Sequence, residues 1–255
     1  MGSACDFHIH THYLRCANAS MTVPAIAQRC EALGLQTIAI TDHLNAPEYL
    51  DQHLLIKDDV AALDSSLEVV FGVEVNVTDP ATGAVSISET EKERAGFAVV
   101  IGGVHSCYHD RPDRQSILEL QQRLMLQVIA NPLVDVLVHP WWFPGGELAP
   151  GGPLEWFRDL SELPDDYARE LGEAAVAYNT AIEANGTAIW TNGAYTETFK
   201  DEYADYMAAI AATGARISVA SDAHDIGHLE SVQVVDKVLT SKGITGDRLW
   251  RPQAV

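Results

Sequence analysis

Basic residues are scarce: 16 Lys and Arg stand against 36 Asp and Glu in 255 residues, a formal charge of −20. A chain this acidic repels phosphodiester backbones and anionic lipid at long range, so neither long nucleic acid nor a membrane surface is an expected partner. Apolar runs are short, none near the ~20 residues that a bilayer span needs. No basic stretch followed by an apolar core opens the chain, so no signal peptide and a cytoplasmic location are expected. The four cysteines (Cys5, Cys16, Cys30 and Cys107) form no CxxC pair, and they read as reduced, buried thiols. Glycine-rich phosphate loops are absent, as are repeats of 20–50 residues and low-complexity tracts. What remains is an ordinary globular composition, 47% apolar and 20% charged, which excludes disorder as the main state.

A short β-branched run that stops at His, Asp or Glu recurs along the chain. The runs cover 4–10, 36–42, 68–75, 97–105, 134–139, 181–185 and 216–222. Their length and continuous apolar content fit strands buried on both faces of a parallel sheet. Between them lie helical patterns. The first is capped by Thr22, carries Pro24 in its first turn and stops at Gly34. The others span 113–129, 164–178, 197–213 and 228–241, and Tyr206, Met207, Ile210 and Ala211 in the fourth read as core. Strand–helix alternation repeated about seven times is α/β architecture. Polar residues at nearly every strand end favour a closed barrel, whose functional rim gathers all the carboxyl ends, over an open sheet with one switch point. The expectation is a single barrel domain over 1–255, with loops at 46–59, 79–95 and 140–164, the last a candidate lid.

The strand ends carry the chemistry. His8 and His10 alternate with Ile9, so they point the same way and can grip one metal. Asp42-His43 ends the second run, Glu74 lies near the end of the third, and His105 and His139 end the fourth and fifth. Asp222-Ala223-His224 ends the last. These nine ionisable groups at or near buried strand ends each cost several kcal/mol unless compensated, and metal ions compensate them.

The strings DFHIHTH, AITDH, GVEVNV, GGVHS, VLVHP and ASDAH, in this order between residues 6 and 224, resemble the PHP (polymerase and histidinol phosphatase) superfamily of metal-dependent phosphoesterases. The resemblance implies a distorted (β/α)7 TIM-like barrel with the metal site at the carboxyl ends of its strands. It implies that His8, His10, Glu74 and Asp222 hold one metal, that Glu74 bridges to a second completed by His105 and His139, and that His43 and His224 serve a third. Two or three divalent ions (Zn, Mn or Fe) are the implied cofactors. The family's usual Ser-Asp continuation after the HxH pair is missing, with Leu14 and Arg15 in its place, and His12 or Cys16 are the substitutes at hand.

Two such ions generate a bridging hydroxide that attacks phosphorus in line. Catalytic roles then fall to Glu74 as bridge and to Asp42 as an orienting group, and the leaving group's proton comes from Asp42, His224 or a metal-bound water. Arg15, Arg111 and Arg114 are candidate phosphate contacts. Trp142, with Trp141 and Phe143, is a candidate pocket wall or packing element, as is Trp190, whereas His53 and His109 read as solvated loop residues. The function expected is hydrolysis of a small phosphorylated substrate, a phosphomonoester such as histidinol phosphate. The alternatives are a phosphodiesterase acting on cyclic or short nucleotides, an amidohydrolase-type enzyme, and a non-catalytic metal-binding scaffold.

Overall fold

A computed structural model describes residues 4–105 and 113–252. Nine strands occur among them: β1 (Cys5–Ile9), β2 (Thr37–Ile40), β3 (His43–Leu44), β4 (Glu68–Asp79), β5 (Ala84–Val85), β6 (Val99–Gly103), β7 (Val136–Leu137), β8 (Ala181–Asn185) and β9 (Ile217–Ala220). Seven of them pair in parallel in the order β1-β2-β4-β6-β7-β8-β9. The circle closes through the backbone: Asp222 N donates to His8 O at 2.8 Å, and His10 N to Ala223 O at 3.1 Å. The architecture is therefore a nearly closed seven-stranded parallel α/β barrel, as the polar strand ends predict.

The two short extra strands have local causes. The second strand breaks at Thr41-Asp42 and resumes as β3, which sets His43 directly opposite Glu74 on β4. Meanwhile β5 folds back antiparallel on the overlong end of β4. Continuous apolar sequence works here as it should for a sheet covered on both faces: every residue of β1, β6, β8 and β9 is buried.

Among the described residues seven α-helices cover the outside: α1 (Val23–Ala32), α2 (Leu50–Ala61), α3 (Glu89–Ala95), α4 (Arg114–Ala130), α5 (Tyr167–Tyr178), α6 (Glu197–Ala212) and α7 (Ser231–Ser241). Thr22 caps α1 by accepting from Ala25 N, as its sequence position suggests. Two expected loops are helical instead. Residues 46–59 contain most of α2, whose Leu50, His53 and Ile56 are buried at helical spacing. Residues 79–95 contain β5 and α3, and α3 starts at a Ser88/Glu91 capping box that marks a helix beginning in sequence. The pattern over 228–241 splits, with a 3₁₀ segment at Ile226–Glu230 preceding α7.

Residues 140–164 are irregular as expected, apart from a 3₁₀ turn at Leu160–Glu162, but this is no loose lid. Trp141, Phe143, Leu148 and Phe157 are buried. Trp141 stacks on Tyr167 with centroids 5.9 Å apart and donates from Nε1 to Tyr206 Oη at 2.8 Å. Tyr203 on α6 donates to Pro140 O at 2.7 Å, which ties the start of the segment down. Met207, Ile210 and Ala211 are buried, as their spacing predicts. Trp190 is buried in packing too, edge-on to Tyr203. No helix among the described residues is long and apolar enough to cross a membrane.

Candidate metal centre

Each barrel strand delivers one or two polar side chains to the same end. Residues two apart on a strand share a face, so His8 and His10 from β1, Glu74 and Asn76 from β4, and Glu183 and Asn185 from β8 come as pairs. His43, His105, His139, Asp222 and His224 arrive from the strand ends. All eight residues expected to ligate metal meet here.

Glu74 is the hub, with a side chain 0% exposed. Around its Oε2 stand His43 Nδ1 at 2.7 Å, His8 Nε2 at 3.3 Å and His10 Nε2 at 3.4 Å. Its Oε1 faces His105 Nε2 at 2.9 Å and His139 Nε2 at 3.2 Å. Asp222 Oδ1 closes the first group, 3.3 Å from His10 Nε2 and 3.6 Å from His8 Nε2. Two of these residues are held in the left-handed region, His139 at φ 30° and Asp222 at φ 56°. Such backbone costs about 1–3 kcal/mol per residue and gathers at functional sites.

The electrostatics follow from this crowding. Burial would push the His8 imidazole toward neutrality, but Asp222, Glu183 and Glu74 raise its pKa well above the ordinary value. His10 goes the other way, held well below it by burial and by His43. Burial also works against the Glu74 charge, yet His43, His8 and His105 hold its pKa well below the usual carboxylate range. Asp222 is depressed similarly, with His8 overcoming burial.

The donor set fits divalent cations. Glu74 Oε2 is buried and makes no hydrogen bond among the described residues, although three imidazole nitrogens surround it. Imidazole and carboxylate together suit Zn, Mn or Fe. The orientation fits as well: His8 Nδ1 lies 2.7 Å from Glu183 Oε1, which keeps the proton on Nδ1 and turns the Nε2 lone pair inward. That is the carboxylate–histidine arrangement seen behind metal ligands. Glu183 Oε2 also accepts from His139 N at 2.7 Å and from Asn185 Nδ2 at 2.9 Å. Asn185 Nδ2 reaches Asp222 Oδ2 as well, at 3.1 Å. Behind His105, Asn76 Oδ1 lies 3.2 Å from Nδ1 and plays the same part on the other side.

Glu183, Asn185 and Asn76 are site residues that strand-end chemistry alone does not single out. The signal for Glu183 is present, a charged residue in the middle of the apolar run AIEAN, but attention to strand ends passes over it.

The remaining candidates separate. Asp42 is buried, and its two oxygens are taken by Thr11 N at 2.5 Å and Thr11 Oγ1 at 2.6 Å. It secures the turn after β1 and does not hydrogen-bond the His43 ring. His53 is no solvated loop residue; it is buried on α2, with its ring 3.1 Å from Asp42 O and 3.0 Å from Tyr49 O. Arg114 is engaged by Glu162 and by Glu155 O, so it braces the 140–164 segment and is not a free phosphate contact. Arg15 is exposed and lines a cavity of about 540 Å³ with Tyr13, Cys16, His43, Asn45 and Tyr49. Trp142 is half-buried, edge-on to His139 at 4.9 Å. Cys5 and Cys30 are buried as expected, but Cys16 is exposed. Arg111, His109 and Cys107 lie outside the described residues.

Residues 6–187 match the family described as PHP domain. A protein named "probable phosphatase" from Caldanaerobacter subterraneus is 27% identical over 238 residues, covering 90% of this chain and 82% of its own. A second protein of that name from Thermoanaerobacter is 28% identical over 249 residues, covering 93% and 86%. Among solved structures, a histidinol phosphate phosphatase from Lactococcus lactis, complexed with zinc, L-histidinol and phosphate, superposes with a TM-score of 0.61. It does so at 16% identity, over 91% of this chain and 92% of its own.

Proposed function

The chain belongs to the PHP domain family, and on that premise we propose that it is a metal-dependent phosphoesterase acting on small phosphomonoesters. One observation carries the reading: Glu74, buried, divides five histidines between its two oxygens. A carboxylate with donors on both sides is suited to bridge two cations. His8, His10 and Asp222 would hold one on the Oε2 side, and His105 and His139 the other on the Oε1 side. Cations bound there supply an acidified water as nucleophile and neutralise charge on the transferring phosphoryl group.

The chain's own residues orient and enclose that chemistry. Glu183 holds His8 in the tautomer that carries its proton on Nδ1 and leaves the Nε2 lone pair facing inward, and it also fixes the backbone of His139. Thr11 and Asp42 lock the turn that follows His10. Arg15, with no ion-pair partner among the described residues, is the cation available to an anionic substrate at the cavity mouth. Trp142 stands edge-on to His139, its ring centroid 4.9 Å away, and is the aromatic side chain beside that ligand. Asp42, fully engaged and buried, is out of reach of a leaving oxygen. His224, with a side chain 33% exposed, can pass a proton to it.

The test is phosphate release from a panel of monoesters and diesters, with the metal content of the same preparation measured in parallel. Histidinol phosphate belongs in the panel, since its two hydrolysis products occupy the Lactococcus lactis structure. Release from a monoester by metal-bearing protein is the expected result. Release from diesters alone would transfer the reading to a phosphodiesterase. Bound metal with no release from either class would contradict it.

A further inference from the structure

After β1 the chain makes a 3₁₀ turn at His12–Leu14, and Arg15 reverses it in the left-handed conformation at φ 61°. The reversal sends two candidate donors in different directions. His12 turns away, its Nδ1 3.2 Å from Met21 O and its ring against Tyr13. Cys16 returns over the strand ends, with Sγ 4.0 Å from Nδ1 of the fully buried His10.

Around that sulfur, one ligand atom from each of His10, Cys16, His43 and His224 falls within 4.8 Å of the others. The ring centroids of His43 and His224 lie 4.6 and 4.2 Å from that of His10. Each ring turns one nitrogen toward a neighbouring oxygen and leaves the other open. His43 Nδ1 faces Glu74 Oε2, and His224 Nδ1 faces Asp222 O at 3.1 Å. Neither Nε2 has a hydrogen-bond partner among the described residues. The His10 ring also has two sides, with Nε2 toward Glu74 and Asp222 and Nδ1 toward Cys16.

We propose that Cys16 Sγ is a protein ligand to a third divalent cation, shared with His43 and His224, on the cavity side of the Glu74 cluster. This rests on the metal-centre reading given above and adds a ligand of different chemistry to it. Ligation breaks the S–H bond, releases one proton to water and forms one sulfur–metal bond, with no change in oxidation state. Thiolate with imidazole favours zinc-class ions over Mn²⁺ or Mg²⁺, which prefer oxygen donors. The third position thus differs from the other two, whose ligands are imidazole and carboxylate. A cation there takes His224 out of proton transfer, and the leaving oxygen then draws its proton from water in the adjoining cavity.

Full-length protein stripped by chelation and titrated with Co²⁺ tests this, because cobalt–thiolate bonds absorb in the near ultraviolet and cobalt–imidazole or cobalt–carboxylate bonds do not. Wild-type protein should gain that band with its last equivalent of cobalt, Cys16→Ala should lack it, and Cys107→Ser should keep it. In parallel, Zn²⁺ at about ten times its dissociation constant should slow alkylation of Cys16, read by peptide mass, about tenfold. Wild-type protein that binds cobalt without the band overturns the thiolate ligand and leaves the two-cation reading standing. A band that survives Cys16→Ala overturns it equally. Protein that binds no cobalt overturns both.

Discussion

Glu74→Gln should lower kcat about 1,000-fold, a loss of about 4 kcal/mol of transition-state stabilisation at 1.36 kcal/mol per decade. The size follows from what the carboxylate does. Five imidazole nitrogens stand within 2.7–3.4 Å of its two oxygens, and His43 and His8 are the charges that most depress its pKa. An amide of the same shape keeps one acceptor and turns an NH₂ toward the other group of histidines. It also removes the negative charge that would be shared between two cations. The variant should retain less than the full metal complement by elemental analysis while its circular dichroism matches wild type. A kcat within a few-fold of wild type would make Glu74 structural and remove the bridge.

Glu183→Gln is expected to weaken metal binding about 10–100-fold, the usual cost of losing a carboxylate behind a ligating histidine. Glu183 touches three groups, His8 Nδ1, His139 N and Asn185 Nδ2, and accepts from all of them. Glutamine must turn its own N–H donors toward at least one of these. If the amide nitrogen faces His8, the imidazole either shifts its proton to Nε2, which removes the inward lone pair, or loses its anchor. Activity against metal concentration separates this from a catalytic role: the curve should move to higher metal and recover much of its plateau. An unchanged metal midpoint would show that Glu183 does not position His8.

Much of this centre could be read from the chain because strand-end chemistry is local. His8 and His10 share a face by alternation, and the other six expected ligands lie at or near the ends of five further apolar runs, so a parallel barrel gathers them without further information. The misread parts depended on contacts far apart in sequence. Asp42 looks like a partner of its neighbour His43, but the carboxylate turns to Thr11, 31 positions earlier. His53 looks solvated in a polar stretch, but α2 brings it under the break between β2 and β3. Arg114 follows the fourth strand as a phosphate contact would, but Glu162 claims it from 48 residues away. Glu183 escapes a reading by strand ends because its partners, His8 and His139, lie on other segments of the barrel, and only barrel closure brings them within 2.7 Å.

The central claim is that one buried carboxylate holds two cations between two groups of histidines. Anomalous diffraction from crystals grown with Zn²⁺ or Mn²⁺ tests it most directly. Two anomalous peaks about 3.5–4 Å apart, one on each side of the Glu74 carboxylate, are the predicted result. A single peak, or peaks remote from Glu74, would contradict the account.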